Sequence, residues 1–493
     1  MTHEERSPDA AIRGLVRGRR LAVALDTWRP GAWLELDERI RSGYPWALTD
    51  RPRHEWLTTT GLTGALRTAL GVPRPPEGRV ALALCDRDGR VREAALTHTA
   101  GRPALLPLVA LRTADWAAPV RERARAVLAT DLPGADAATL AVTAPVILRL
   151  ANRRRGGTAA DLLDASLRTA PADTVTALLY HRDRITRRHA LDVAVDRGLL
   201  APAELARLAA YDEDTALRDR AATAALAAGV PDETLPLLLA ARSGSVRSAG
   251  VTALRAAGRP AEAEPFLHDR SALVRACARW VLRQDGRDPL AIYRAACADP
   301  ATVPGRAPLG LAECEGREAG NGQESEARDA EDIAVLDGLT THPVARVRAS
   351  AVAGLRILEP QDWRKALPLL DDPSAAVVRE AARTLAGLAS HVPARELLTR
   401  AAQDRPHPQR AAALRVFSER HDMPRILCAL RMLDDPDPRL RERAVTVARR
   451  AWWCTHRGDR IVAEECLGLL ERHHDAFPEW MSTSIRKGLQ HFT

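Results

Sequence analysis

The chain has 493 residues, 28% of them charged and 46% drawn from the apolar set AVILMFWYC, a balance that excludes both a chain disordered throughout and a membrane bundle. The formal net charge is +8, yet Lys365 and Lys487 are the only lysines among 72 basic residues. The high pI therefore reflects an arginine-biased composition and does not by itself identify an acidic partner.

Residues 1–79 carry four of the ten tryptophans, Trp28, Trp33, Trp46 and Trp56. Apolar periodicity from Ala11 to Leu25 and from Leu57 to Leu70 predicts helices, and VPRPPEG at 72–78 reads as a stiff connector. After Arg17–Arg20 the first apolar stretch is only Leu21–Leu25, too short for a signal peptide. The run 104–111 is interrupted by Pro107, well short of the roughly 18 apolar residues of a membrane span. Cys85, Cys277, Cys297, Cys314, Cys428, Cys454 and Cys466 form no C-x-x-C pair, as expected of reduced thiols. The expectation is a cytoplasmic chain with no membrane association.

From about residue 80 one short pattern recurs: a turn rich in Asp and Pro, then Val or Leu followed by Arg, then small residues and an apolar helical run. The clearest copies are DRDGRVREAAL (86–96), DWAAPVRERARAVL (115–128), DEDTALRDRAATAAL (212–226), DRSALVRACARWVL (269–282), DDPSAAVVREAARTL (371–385) and DDPDPRLRERAVTVA (434–448). Marker arginines fall at Arg92, Arg121, Arg154, Arg188, Arg218, Arg247, Arg275, Arg306, Arg348, Arg379, Arg410 and Arg441, with gaps of 28–34 residues and one of 42. Within a period Val377, Val378, Ala381, Leu385 and Leu388 have helical spacing, and Leu397, Leu398 and Ala401 follow as a second helix between Pro393 and Pro406. One such hairpin cannot bury its apolar face alone, whereas stacked copies can. Abundant alanine permits close helix approach. Residues 1–79 then serve as a helical N-terminal cap over the end of the stack, with a docking module that uses the tryptophans as the alternative.

The D…VR…A…AL pattern at this period resembles the short HEAT-like repeats of the phycobilisome-lyase type, over about Val80 to the C-terminus. The resemblance implies an all-α fold, an α-α superhelix or armadillo-type solenoid of about a dozen helical hairpins, and is nonspecific for function. In six copies an aspartate stands six residues before the marker arginine, giving the pairs Asp86 and Arg92, Asp115 and Arg121, Asp212 and Arg218, Asp269 and Arg275, Asp404 and Arg410, and Asp435 and Arg441. Such an aspartate can cap the following helix, and the arginine can reach a neighbouring carboxylate or carbonyl. In the family this is a structural ladder.

The wide gap contains ECEGREAGNGQESEARDAED (313–332), with eight acidic and two basic residues, and reads as a disordered acidic loop inside the solenoid. GNGQES (320–325) lacks a preceding strand and is no phosphate loop. Neither lysine lies in a G-x-x-x-x-G-K-[ST] motif, and no G-x-S-x-G or H-E-x-x-H occurs. The adjacent His473 and His474 are read as solvated. His-Glu pairs, which the iron hydroxylases of this repeat class place in their solenoid, occur only at His3–Glu4 and His54–Glu55. Neither a catalytic residue nor a cofactor or metal is expected. Trp280, Arg283 and Asp285 supply the residue types of an alkylpurine glycosylase without its motif, and Trp280, Trp452 and Trp453 are read as packing.

The strongest candidate for an anion or partner site is a stripe from two successive repeats, Arg153, Arg154 and Arg155 with Arg184, Arg187 and Arg188. The function expected is a noncatalytic scaffold or adaptor that binds a protein on the concave face. The alternatives are a DNA- or RNA-binding solenoid, glycosylase-like in one version, and a subunit of a larger modifying enzyme.

Overall fold

The computed structural model describes residues 7–42, 75–228, 233–315, 323–358, 362–451 and 459–492, and all regular structure among them is helical. The chain divides into two compact units, Met1–Ala249 and Gly250–Thr493. The first contains α1 (Pro8–Val16), α2 (Leu21–Ala24), α3 (Pro30–Arg41), α4 (Glu77–Leu84), α5 (Gly89–Leu96), α6 (Leu106–Arg112), α7 (Ala118–Asp131), α8 (Ala137–Leu150), α9 (Gly157–Thr169), α10 (Ala172–Leu178), α11 (Arg184–Asp196), α12 (Pro202–Tyr211), α13 (Thr215–Ala227), α14 (Thr234–Leu239) and the start of α15 (Gly244–Ala256). The second contains α16 (Ala272–Gln284), α17 (Pro289–Ala298), α18 (Ala307–Glu315), α19 (Gln323–Leu339), α20 (Ala345–Leu358), α21 (Trp363–Ala366), α22 (Ala375–Gly387), α23 (Ala394–Ala401), α24 (His407–Phe417), α25 (Met423–Arg431), α26 (Pro438–Ala451), α27 (Arg460–Arg472) and α28 (Glu479–Gln490).

Packing runs from each helix pair to the next, which makes each unit a stretch of α-solenoid. In the first unit α5 lies on α7, α6 on α8 and α11 on α13; in the second α18 lies on α20, α20 on α22 and α22 on α24. Leu84, Leu96, Leu108, Leu128, Leu140 and Leu163 are buried in one continuous apolar core, each stabilising the stack by about 1.5–3 kcal/mol.

The N-terminal helices cover the first hairpins. The helix expected over 11–25 is broken at Gly18, whose φ of 81° ends α1 before α2 begins. α1 packs on α3 and α4, and α3 on α6 and α8. A Cβ at Gly78 would stand 2.9 Å from the carbonyl oxygens of Leu15 and Arg19, so only glycine lets the end of α1 rest on the first turn of α4. Trp33 is buried, its Nε1 donating to the Thr27 carbonyl at 3.0 Å. Trp28 is half exposed and stacks on His181 with centroids 6.1 Å apart. Trp46, Trp56 and the helix expected over 57–70 lie outside the described residues.

Eight of the described turns before helices repeat one bond around a single residue, here called the hub. The carboxylates of Asp86, Asp115, Asp212, Asp269, Asp372 and Asp435 each accept the N–H two residues on, at 2.7–3.0 Å. His181 and His342 do the same through Nδ1, at 2.9 and 3.0 Å. The helix cap expected of the hub aspartate belongs instead to the residue two further on, as with Asp88, Asp183, Asp214 and Ser374. Six residues after the hub an arginine turns back, and Nη1 of Arg92, Arg121, Arg187, Arg275, Arg348 and Arg441 donates to the hub carbonyl at 2.7–3.0 Å, as Arg247 does to the carbonyl of Ala241, which stands at the hub position, at 2.8 Å.

The other edge of the guanidinium reaches forward to the next layer. Arg92 pairs with Asp115 at 2.8 and 2.9 Å, Arg348 with Asp372 at 2.8 and 2.9 Å, and Arg410 with Asp435 at 2.8 and 3.2 Å. Arg275 reaches Glu313, and Arg187 reaches Asp212 at 3.4 Å. Arg410 latches to the Arg405 carbonyl at 2.5 Å, while Asp404 is exposed. Arg218 donates to Thr215 Oγ1 at 3.0 Å.

This register corrects four markers. Arg187, not Arg188, holds the latch position after His181. After Asp372 the latch position is Val378, buried at 1%, and Arg379 is exposed. Arg154 lies exposed in the turn after α8, and Arg306 immediately precedes α18. The acidic segment is corrected at both ends: helix runs to Glu315 and resumes at Gln323. Glu313 accepts Arg275 and Arg279, and buried Asp332 accepts Arg294 at 2.9 Å, so acidic groups counted as solvated are rungs between layers.

Substituting Arg410 by Met leaves the 2%-exposed Asp435 without its guanidinium and should cost about 3–5 kcal/mol. Arg379→Met, at an exposed site, should stay within about 0.5 kcal/mol. Thermal melting of both variants checks the pair.

Acid should act through the same carboxylates. Burial is the largest influence on Asp115 and pushes its pKa up, but hydrogen bonds from Arg92 and the Ala117 N–H, with the charge of Arg112, hold it below the ordinary 3.8. Asp372 is likewise opposed by burial and held down by Arg348 and the Ser374 N–H. Depressed folded pKa values stabilise fully above the unfolded value and are lost as pH falls through the folded one. Tm should therefore hold from neutral pH to about 5 and fall below about 4, and less steeply in Asp372→Asn than in the wild type.

Candidate functional site

The side chains on either side of a hub are not needed by its bonds, and in the first unit three of them are large aromatics. Trp116 follows Asp115, Tyr180 precedes His181 and Tyr211 precedes Asp212, with 66, 80 and 75% of their surface exposed. At the described hubs of the second unit no Trp, Tyr or Phe holds either flanking position. A single exposed ring is ordinary, but Tyr180 and Tyr211 line one cleft together with apolar side chains, and such contiguous exposed apolar surface marks interaction sites, which directs attention to the turn edge of the first unit.

Tyr180 and Tyr211 stand at a cleft of about 520 Å³ that is also lined by Leu179, Leu200 and Leu208. Its floor comes from α12, whose start is fixed when Glu204 Oε2 accepts the Ala201 N–H at 2.8 Å. Arg187, Arg207, Glu204, Asp212 and Glu213 also line it, with Arg187 and Asp212 paired at 3.4 Å, so both signs of charge stand beside its apolar residues.

Trp116 stands at a second cleft of about 360 Å³, lined by Asp37, Arg41, Leu111, Arg112, Leu150 and the Arg153–Arg155 turn among others. Beneath it Asp115 accepts Arg92, Arg41 at 2.9 Å and Arg112 at 3.3 Å. Asp37 pairs with Arg112 at 2.5 Å and Arg41 at 3.3 Å. Burial opposes the charge of Arg112, but Asp37 and the other nearby acids raise its pKa, so it stays protonated. Burial first, then Asp37, pushes the Cys85 thiol up, which keeps it neutral and unreactive. The Arg92 guanidinium lies 5.8 Å from the Trp116 ring centroid, within cation–π range.

The arginine turn has its own local cause. α8 ends at Leu150, whose carbonyl accepts the Arg153 N–H at 2.8 Å, and the Gly156 N–H closes onto the Arg153 carbonyl at 2.9 Å. A Cβ at Gly156 would collide with the Leu150 carbonyl, so the turn needs glycine there. Arg153, Arg154 and Arg155 are exposed, and their side chains make no hydrogen bond or ion pair with the described residues.

The six arginines of the expected stripe thus fall into three situations. Arg153–Arg155 line the Trp116 cleft, and Arg184 is exposed at the first position of α11. Arg187 is a latch that also lines the Tyr180 cleft. Arg188 is held by Asp214 at 2.8–3.1 Å, so two of the six are already engaged in ion pairs between layers. Sequence reasoning passed over Trp116, Tyr180 and Tyr211. The signal was present as an aromatic adjoining the turn residue in ADWAAPVR and LLYHRDR.

Elsewhere Trp280 is 43% exposed under the Arg255 guanidinium, 5.6 Å from its centroid, where packing was expected. Arg283 and Asp285 are exposed, and Trp452 and Trp453 lie outside the described residues. His473 is mostly covered and sits 3.2 Å from Asp434, while His474 is exposed. Among the described residues no group of three or more His, Cys, Asp or Glu is arranged to hold a metal, and no helix is long and apolar enough to cross a membrane.

No family model matches the chain, and no curated protein matches it. Among solved structures it is similar to one concerning Kap95p and RanGDP, in which Kap95p binding induces the switch loops of RanGDP to adopt the GTP-bound conformation. The identity is 11% and the TM-score 0.33, over 98% of this chain and 66% of that one. The chain thus spans just under two thirds of the length of the chain it matches, and a likeness of that extent bears on neither site nor partner.

Arg188→Met should lower Tm by uncovering the buried Asp214, at a cost of about 1–3 kcal/mol, whereas Arg184→Ser should leave it unchanged. Melting curves of the two variants separate the structural arginine from the exposed one.

Proposed function

We propose that the chain is a noncatalytic scaffold or adaptor that binds a protein partner along the hub-turn edge of its first unit. The observation that carries the reading is the exposure of Trp116, Tyr180 and Tyr211 beside successive hubs. Aromatics and arginines concentrate binding energy in protein interfaces, and the Tyr180 cleft offers an apolar floor with both signs of charge at its rim, which suits a folded or extended polypeptide. This edge is preferred because the rings are there.

A nucleic-acid reading draws on one observation, the exposed Arg153–Arg155 beside Trp116, since arginines neutralise phosphates and an open ring can stack a base. Residues 1–79 are read as a cap, supported by the packing of α1 and α3 on α4, α6 and α8. Kinship with the phycobilisome-lyase type of HEAT repeat rests on the D…VR…A…AL pattern, and a cytoplasmic location on the cysteines, those described being unbridged.

Affinity capture from the source cells tests the edge. A partner held by the wild type and by Trp480→Ser, a change at an exposed ring in the second unit, should be retained at least about thirty-fold less by Tyr180→Ser/Tyr211→Ser, the loss expected at hot-spot residues. Identical retention by all three would remove the edge from consideration.

A further inference from the structure

Around the Trp116 cleft three guanidiniums, those of Arg41, Arg92 and Arg112, share two carboxylates, Asp37 and Asp115. Among the described residues this largely covered lattice has one guanidinium more than it has carboxylates, and the Nε of Arg112, a side chain 2% exposed, finds no acceptor among them, while Asp37 Oδ1 is met by Arg41 only as an ion pair at 3.3 Å. Buried donors are ordinarily satisfied. The rim adds the three arginines of the Gly156 turn, so the described lining residues include five arginines and two carboxylates. Such a lattice of alternating charges is completed by another carboxylate, which guanidiniums bind in two-point geometry.

We propose that the cleft between Trp116 and Arg153–Arg155 is a carboxylate-binding site that takes an acidic peptide segment of a protein partner. The proposal rests on reading the hub-turn edge as a protein-binding surface and names the chemistry recognised there. Trp116, 66% exposed, covers the methylenes of a bound glutamate while the arginines take its head. A polypeptide is favoured over a nucleic acid by the charge of the rest of the edge. Two arginines and three acids line the Tyr180 cleft, where a phosphate backbone carried onward would meet repulsion. Three exposed arginines also provide fewer than the roughly 6–10 phosphate contacts that make nucleic-acid binding strong.

The test is fluorescence anisotropy of the full chain with labelled hexaglutamate, hexalysine and oligothymidylate probes at low and physiological ionic strength. Hexaglutamate should bind at low salt and weaken as salt screens the cleft, and hexalysine should not bind. Arg153→Ser/Arg154→Ser/Arg155→Ser, with Tm unchanged, should weaken hexaglutamate binding about ten-fold or more, and Trp116→Ala should weaken it to a lesser degree. Tyr180→Ser/Tyr211→Ser should bind hexaglutamate as the wild type does, so loss of this site and loss of the wider protein-binding reading are seen separately. No hexaglutamate binding, equal binding by the triple arginine variant, or tighter oligothymidylate binding through the same arginines would each overturn the proposal.

Discussion

One guanidinium group, held between a carbonyl of its own turn and a carboxylate of the next layer, is the interaction on which both units depend. Its inner edge fixes the turn, because the hub carbonyl would otherwise be an acceptor left at a helix start. Its outer edge sets the register of one hairpin on the next. Arg92 does both while fully buried. Apolar burial supplies most of the stabilisation but is tolerant of sliding, since one row of Ala, Val and Leu resembles the next. A two-edged planar donor is not. The ladder therefore specifies alignment, and the apolar layers hold it.

The exceptions follow from the same chemistry. A histidine hub can close its turn through Nδ1 but offers no second acceptor to an incoming guanidinium. At His181 the ion pair accordingly moves two residues on, and Arg149 reaches Asp183 at 2.9 Å. At His342 the ring's Nε2 is 2.7 Å from the Pro300 carbonyl, a neutral bond in place of a charged one. Val378 shows the complementary case, in which the carboxylate of Asp372 still receives Arg348 while the latch position has become part of the apolar layer.

The helical repeat was legible because hub, latch and apolar face lie within one short segment, at spacings that helix geometry dictates. What failed were one-residue slips and tertiary partners. In TRR and VVR the eye takes the second arginine or the Val-Arg dipeptide as marker, yet one residue is about 100° of helix rotation, enough to send Arg379 into solvent and to give Arg187 the role assigned to Arg188. The acidic stretch 313–332 has the composition of a loop, and nothing local reveals that Glu313 and Asp332 meet Arg275 and Arg294 from other helices. The candidate site was half legible. Arg153–Arg155 stood out as a cluster, whereas the excess charge beneath them depends on Asp37 and Arg41 of the N-terminal segment, far away in sequence.

The hub's bonds are made by its own side chain and carbonyl, the cap two residues on and the latch six residues on. The side chains immediately before and after the hub are left outside that set, even where a backbone carbonyl is used. Tyr180, Tyr211 and Trp116 occupy these free places. The exposed ring is consequently not one of the groups that close its turn, although the clefts beside the rings are lined in part by ladder residues, Arg187 and Asp212 at one and Asp115 at the other. A repeat of this kind can exchange its exposed ring a single turn at a time while the hub, cap and latch bonds of that turn stay in place.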